Sequence, residues 1–324
     1  MPEPTVPLID LTDWYGGDPA ARRDVAEQVD RALSGIGFLL VTGHRLRPPL
    51  LDGVREQARR FFALQPAAKA PYACRVGGRG WIPPGAESNG ASEGLDTPPD
   101  LKESWTFGPD GAPGRLVGTA EEAWYGANTW PAEVPGLRAA GQAFGAAAGA
   151  LADDLLEVFS SALGLPEEFF TSRCAAPPWS VNLNWYPPHS AVGTVSDDQF
   201  RIGPHSDFGT LTILDREPGT GGLQVCTAEG DWVDAPFVPG ALTINTGDLL
   251  ARWTGDRWRS TMHRVLPPPA DVPTEELLSL VFFHEADPDV VVETLPTAAA
   301  GPTSYEPVTA GGFLRSRLES ITVA

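Results

Sequence analysis

The chain carries a histidine and an aspartate close together in RIGPHSDFGTLTIL (Arg201 to Leu214), and a further histidine in RWRSTMHRV (Arg257 to Val265). In an extended segment alternate side chains leave the same face, so His205 and Asp207 can grip one ion together. Between them and His263 lie GGLQV (Gly221 to Val225) and PGALTINTGDLLARWT (Pro239 to Thr254), apolar runs punctuated by turn residues. That is enough chain for a few antiparallel strands to bring His263 back to the first pair. Two imidazoles and one carboxylate on one face of a metal suit non-haem Fe(II) and leave positions open for other ligands, the condition for oxygen chemistry.

The elements that must position these residues follow from periodicity and turn chemistry. VPLIDL (Val6 to Leu11) predicts a short strand, and ARRDVAEQVDRALSGIG (Ala21 to Gly37) an amphipathic helix with Val25, Val29, Leu33 and Ile36 on one side. GFLLVTGH then predicts a buried strand ending at His44, which reads as a structural residue of the turn. A second helix is expected over Pro48 to Leu64, with Phe61 and Phe62 toward a core and Pro66 as its stop. From Tyr72 to Pro109 glycine, proline, serine and acids predict long loops with short strands. The Ala-rich stretch between Pro131 and Phe170 has apolar residues at helical spacing and predicts the longest helix, a scaffold packed against a sheet. SVNLNWYPP (Ser180 to Pro188) alternates as a strand until its prolines, and the HSAVGTVSDDQF that follows reads as a polar, mobile loop with His189 exposed. Glu276 to Leu295 predicts a strand, a turn around Ala286 to Pro288 and an edge segment, and GGFLRSRLESI a short closing helix.

In order and spacing, HSDFGTLTIL, GGLQV, PGALTINTGD and RSTMHRV resemble the C-terminal core of the isopenicillin N synthase-like family of Fe(II)-dependent oxygenases, most of which use 2-oxoglutarate. The strand, helix, strand opening is similar to the N-terminal part of the same family, so the resemblance covers nearly the whole chain. It implies a mainly β fold with flanking helices, built on a double-stranded β-helix (jelly roll), in a single catalytic domain. Residues 1–130 would supply N-terminal helices, strands and substrate-side loops, 131–175 the scaffold helix, 176–295 the jelly-roll core and 296–324 a tail and helix. The resemblance implies His205, Asp207 and His263 as the Fe(II) ligands and Tyr186 turned toward a carboxylate of cosubstrate or substrate, with Asn182 and Asn184 on the same strand face. It makes Trp81, Glu87, Glu103 and Trp105 candidates for lining the substrate pocket. The implied reaction consumes O2 and 2-oxoglutarate, releases succinate and CO2, and removes a hydrogen atom from a small molecule. Hydroxylation is the default outcome, with desaturation or ring closure as alternatives.

The chain departs from the family at one motif. Most members carry Arg-x-Ser on a strand after the distal histidine, and that arginine pairs with the remote carboxylate of 2-oxoglutarate. Here Ser279 takes the serine position and Leu277 the arginine position, and no Lys or Arg occurs between Arg264 and Arg315. A buried carboxylate without a cation or rich hydrogen bonding is expensive. Three readings stay open. Arg201, which shares strand parity with His205 and Asp207, or Arg259, which shares it with His263, supplies the charge; another 2-oxo acid with an uncharged tail is used; or the substrate is oxidised directly by O2 in the manner of isopenicillin N synthase. Tyr186, Ser279 and Arg201 are the expected cosubstrate residues.

Other classes fit less well. A zinc hydrolase would use similar ligands with an open position, but no general base stands beside this motif. An inactive jelly-roll binding protein would have no use for an intact triad. With 42 acidic against 23 basic residues the formal charge is -19, and no basic cluster could track a phosphate backbone. Cys74, Cys174 and Cys226 are odd in number and widely spaced, against a disulfide framework. No stretch has the length and apolarity of a membrane span or a secretory leader. A cytoplasmic monomer acting on a small molecule is expected.

Overall fold

The computed structural model describes residues 6–188, 191, 196, 198–220, 222–269, 271–272, 274–296 and 299–321. His189 lies outside the described residues. The strands are β1 (Leu8–Asp10), β2 (Phe38–Thr42), β3 (Gly80–Ile82), β4 (Glu103–Phe107), β5 (Ser180–Tyr186), β6 (Ile202–His205) and β7 (Leu211–Asp215). They continue with β8 (Leu223–Cys226), β9 (Trp232–Asp234), β10 (Leu242–Thr246), β11 (His263–Val265), β12 (Leu277–His284), β13 (Val291–Val292) and β14 (Val308–Thr309). The helices are α1 (Thr12–Tyr15), α2 (Pro19–Gly35), α3 (Pro48–Phe62), α4 (Pro66–Lys69), α5 (Gly136–Ala162), α6 (Asp248–Trp253) and α7 (Ala310–Ile321).

A large sheet runs in the order β1-β2-β10-β7-β12-β5-β4-β3 and faces a smaller one of order β6-β11-β8-β9. The N-terminal strands therefore belong to the same sheet as the C-terminal ones: β2 pairs antiparallel with β10, and β4 with β5. β1 and β2 pair in parallel, with α2 as the crossover that a parallel connection requires. Between the sheets an apolar cluster of Val6, Ile36, Phe38, Leu40, Leu223, Val225 and Ala235 fills one part of the barrel. Behind the large sheet the helices cover a second, larger core.

Local sequence explains the supports. Asp18 caps α2 by accepting from the backbone N–H groups of Ala20 at 2.8 Å and Ala21 at 3.4 Å, with Pro19 in the first turn where no donor is missed. Val25, Val29 and Leu33 are buried on its inner face. The expected scaffold helix is α5, and its small residues have a packing reason. A Cβ at Gly141 would stand 2.9 Å from the Phe107 ring and one at Gly145 2.8 Å from the Trp179 ring, so aromatic groups press directly onto the helix backbone. Among the described residues no helix is long and apolar enough to cross a membrane.

Candidate metal centre

His205 ends β6 and His263 begins β11, and the two pair directly across the antiparallel ladder. Their imidazole centroids are 4.2 Å apart. Asp207 lies just beyond β6, in a turn that helix α6 holds from outside. The backbone N–H of Asp248 donates to the Asp207 carbonyl at 2.7 Å, and that of Leu249 to the Phe208 carbonyl at 3.0 Å. This contact needs glycine at position 247. A Cβ on Gly247 would fall 2.5 Å from the Gly209 carbonyl oxygen, closer than any side chain permits.

Each ligand candidate has one atom committed and one left over. The Nδ1 of His205 donates to the Gly203 carbonyl at 2.8 Å and that of His263 to the Thr261 carbonyl at 3.1 Å. A carbonyl only accepts, so each ring carries a proton on Nδ1, and Nε2 is the atom left to face a metal. Asp207 accepts at Oδ2 from Thr212 Oγ1 and from Asn245 Nδ2, both at 2.6 Å, which leaves Oδ1. Oδ1 lies 3.8 Å from Nε2 of each histidine. The three atoms converge within 4.8 Å of one another. Burial and the neighbouring His263 push the His205 pKa down to about 3, keeping it neutral. Burial alone would raise the Asp207 carboxyl, but the facing histidines and its two hydrogen bonds hold it below its ordinary value. Two imidazole Nε2 atoms and one carboxylate oxygen converging on one point are the donor set that suits a divalent first-row metal.

Tyr186 is the last residue of β5, and its hydroxyl lies 3.1 Å from Ser279 Oγ on β12. Leu277 pairs with Tyr186 in register, so the three residues meet at one end of the barrel interior. Burial raises the Tyr186 pKa, against nearby Lys102 and Arg201. Arg201 is 1 % exposed and its guanidinium carbon sits 5.6 Å from the centroid of the Tyr186 ring. Asn184, on the Tyr186 face of β5, accepts from Ser104 Oγ at 2.8 Å.

The other sequence candidates divide by strand face. On β4, Glu103 and Trp105 turn toward the helices, not toward the metal ligands. Glu103 binds Lys69 Nζ with both oxygens at 2.7 Å and accepts from Trp81 Nε1 at 2.5 Å, while Trp105 packs 4.6 Å from the Phe61 ring centroid. Trp81, Glu103 and Trp105 are thus core residues, and the expectation that they line the pocket is corrected. Glu87 does reach the barrel side, where it pairs with buried Lys102. Arg259 fails as a cosubstrate cation: its Nη1 donates to the Gly35 carbonyl at 3.2 Å and it lines a surface groove with Arg252, Tyr305 and Phe313. His44 is structural as expected, bonded through Nε2 to the Gly240 carbonyl at 2.9 Å.

Sequence reasoning missed Thr212, Asn245, Lys102 and Arg317. Thr212 and Asn245 stand inside the motif stretches, but nothing in residue type distinguishes an Asp207 partner from an ordinary strand residue. Arg317, on α7, bonds Asp248 at 2.8 Å and Ser206 at 3.3 Å and lies 4.9 Å from the Phe208 ring centroid. A helix far along the chain thereby touches both neighbours of Asp207.

Two facing sheets with a His-x-Asp and a distal histidine at one end define the class of non-haem Fe(II) oxygenases. Comparison with known proteins agrees. Residues 6–133 match the family model of the non-haem dioxygenase in morphine synthesis N-terminal region, and residues 178–286 that of the 2OG-Fe(II) oxygenase superfamily. The chain is 39% identical over 320 residues to Validamycin A dioxygenase of Streptomyces hygroscopicus subsp. limoneus, covering 98% of this chain and 87% of that protein. It is 33% identical to a 2-oxoglutarate-dependent dioxygenase of Dothideomycetidae sp., covering 90% of this chain and 89% of the other. A full-length Neurospora crassa protein solved in complex with alpha-KG superposes with a TM-score of 0.85 at 26% identity, covering 98% of each chain. The chain belongs to the 2OG-Fe(II) oxygenase superfamily. It is an Fe(II)- and 2-oxoglutarate-dependent dioxygenase that oxidises small molecules, on the double-stranded β-helix fold.

Proposed function

We propose that His205, Asp207 and His263 hold Fe(II) through Nε2, Oδ1 and Nε2, and that the whole chain works as one catalytic unit oxidising a C–H bond of validamycin A or a close chemical relative. The observation that carries the metal assignment is the commitment of both Nδ1 atoms and of Asp207 Oδ2 to other partners, which leaves three donor atoms aimed at one point. When bound, iron with its cosubstrate supplies the oxidising power that removes a hydrogen atom from the substrate.

The chain's own residues do the rest. Thr212 and Asn245 fix the Asp207 rotamer, and the Gly203 and Thr261 carbonyls fix the two rings, so the ligands are oriented before metal arrives. Tyr186 and Ser279 offer hydroxyls to the far end of the cosubstrate. The Lys102–Glu87 pair and Asn184 give the β4–β5 wall polar groups, which suit a hydrogen-bonding substrate better than an apolar one. Support for the substrate class comes from the extent of the match to Validamycin A dioxygenase, which spans the site and the loops around it.

The test is turnover of validamycin A with Fe(II), O2 and 2-oxoglutarate, read as succinate release and as a product one oxygen atom heavier. Succinate without modified validamycin A would reject the substrate and keep the class. No iron binding by the wild-type chain would reject the metal assignment.

A further inference from the structure

2-Oxoglutarate is a dicarboxylate. One carboxylate and the keto oxygen chelate a metal, and the other must be buried at a distance from it. A buried carboxylate needs a cation or several donors. The strand β12 position beside Tyr186 carries Leu277, whose side chain turns onto the 219 turn: a Cβ at Gly219 would lie 2.6 Å from Leu277 Cδ1. The receptor must come from elsewhere.

Two buried cations flank Tyr186. Lys102 sits beside it by extension of the β4–β5 ladder, in which Glu103 pairs with Trp185. Arg201, the residue before β6, lies against the ring. Their charge balance separates them. Lys102 donates to Glu87 and stands next to a second acid, Asp100, so acids outnumber it locally. Arg201 faces one acid, Glu275, whose side chain accepts from Nη1 at 2.9 Å and whose backbone carbonyl accepts from Nη2 at 3.0 Å. Glu275 is itself shared with Thr220, accepting from its N–H at 2.5 Å and its hydroxyl at 2.8 Å. The Arg201 Nε–H is buried and has no hydrogen-bond partner among the described residues. A fixed guanidinium with an unused buried donor is a costly arrangement in isolation, and a carboxylate ligand relieves it. Arg201 immediately precedes β6 and lies four residues before His205, at most about 13 Å between Cα atoms. That span suits a metal-bound dicarboxylate reaching from one side chain to the other.

We propose that Arg201, oriented by Glu275, receives the remote carboxylate of 2-oxoglutarate together with the Tyr186 and Ser279 hydroxyls, in place of a cation on β12. This rests on the metal centre assigned above. Arg201 is a cosubstrate-binding residue, and Glu275 is a positioning residue that acts through it.

The test uses the Fe(II)-loaded full chain without oxygen and reads the weak visible charge-transfer band of 2-oxo acid chelation, which reports binding without turnover. 2-Oxoglutarate is titrated against 2-oxopentanoate, which has the same carbon chain and no remote carboxylate. The wild type should prefer 2-oxoglutarate by about tenfold or more. Arg201→Gln should weaken 2-oxoglutarate about 10- to 100-fold and leave 2-oxopentanoate unmoved. Adding Leu277→Arg to that variant should recover part of the loss. Should Arg201→Gln not fold, Arg201→Lys carries the test, with a several-fold loss expected for 2-oxoglutarate alone. An unchanged preference in the variant that folds overturns the assignment, and so does a preference lost in Lys102→Met but kept in Arg201→Gln. A wild type that binds both acids equally has no anion receptor and overturns it as well. If iron is bound and neither acid gives a band, the metal-centre reading fails first and this assignment falls with it.

Discussion

Asn245 on β10 donates to Oδ2 of Asp207 at 2.6 Å, from a position that pairs directly with Thr212 of β7. Thr212 on β7 donates to the same oxygen. Two donors on one oxygen direct the other oxygen at the histidines. Removing either frees the carboxylate to rotate and to bind with the wrong geometry. Asn245→Ala and Thr212→Val should each lower Fe(II) affinity by roughly 10- to 100-fold. Anaerobic metal titration checks this, and an unchanged affinity would mean that the Asp207 rotamer is fixed by backbone alone.

His284 gives a pH dependence of known sign. It is buried at the end of β12, and burial pushes its pKa from 6.5 down to about 3. Its Nδ1 lies 2.9 Å from Thr210 Oγ1, whose own proton goes to the His284 carbonyl at 2.8 Å. The folded state holds the neutral ring and the unfolded state takes up a proton more readily. The stability it contributes is therefore fully present above pH 6.5 and is lost as pH falls from there toward 3, at about 1.4 kcal/mol per pH unit. His284→Asn keeps a donor near Thr210 but cannot titrate. Denaturant melts between pH 7 and pH 5 should show a shallower acid loss in this variant than in the wild type; equal slopes would contradict the buried neutral ring.

Glu103 is predicted to matter for folding and not for iron. Its side chain and that of Lys69 are 2% and 6% exposed, and the pair is completed by Trp81. Deleting one partner of a buried ion pair strands the other charge. Glu103→Ala should cost ~3–5 kcal/mol of stability, while the protein that remains folded binds Fe(II) normally. Thermal melts alongside metal titration separate the two effects.

These cases mark how far the sequence could be read. The triad was legible because His205, Asp207 and His263 sit in motifs whose chemistry depends on residue type, and the helices because α2, α3 and α5 keep a clear period. The facing of β4 was not. The family resemblance offered Glu103 and Trp105 as candidates for a pocket wall, yet alternation turns them to the helices and Ser104 to the barrel, and the ladder to β5 decides which. Arg259 was misplaced by extending the parity of His263 backwards. Strand β11 begins at His263, and the residues before it follow a turn with Asp256 at φ 62°, where alternation has no meaning. Parity was an unsafe guide for Arg201 too, since the β6–β11 ladder shifts register; its contacts, not its spacing, bring it to Tyr186.

Arg317 ties the last helix to the metal turn, and its loss should separate substrate binding from cosubstrate binding. Its guanidinium bonds Asp248 at the start of α6 and reaches Ser206 and Glu93, the last residue of the 3-10 turn Asn89–Glu93. Three segments, the Asn89–Glu93 turn, the metal turn and the start of α6, are thus joined by one side chain, while Tyr186, Ser279 and Arg201 meet one another elsewhere. Arg317→Ala removes charge-assisted bonds worth ~1–2 kcal/mol in partly buried surroundings. Helix α7 and the Asn89–Glu93 turn should then exchange their amide hydrogens faster, and the substrate KM should rise roughly five- to thirtyfold, with the 2-oxoglutarate charge-transfer titration unchanged. Hydrogen exchange and the two titrations check this together. A weakened 2-oxoglutarate band with normal exchange would show that Arg317 supports the iron ligands through Ser206, and that α7 does not hold the substrate side closed.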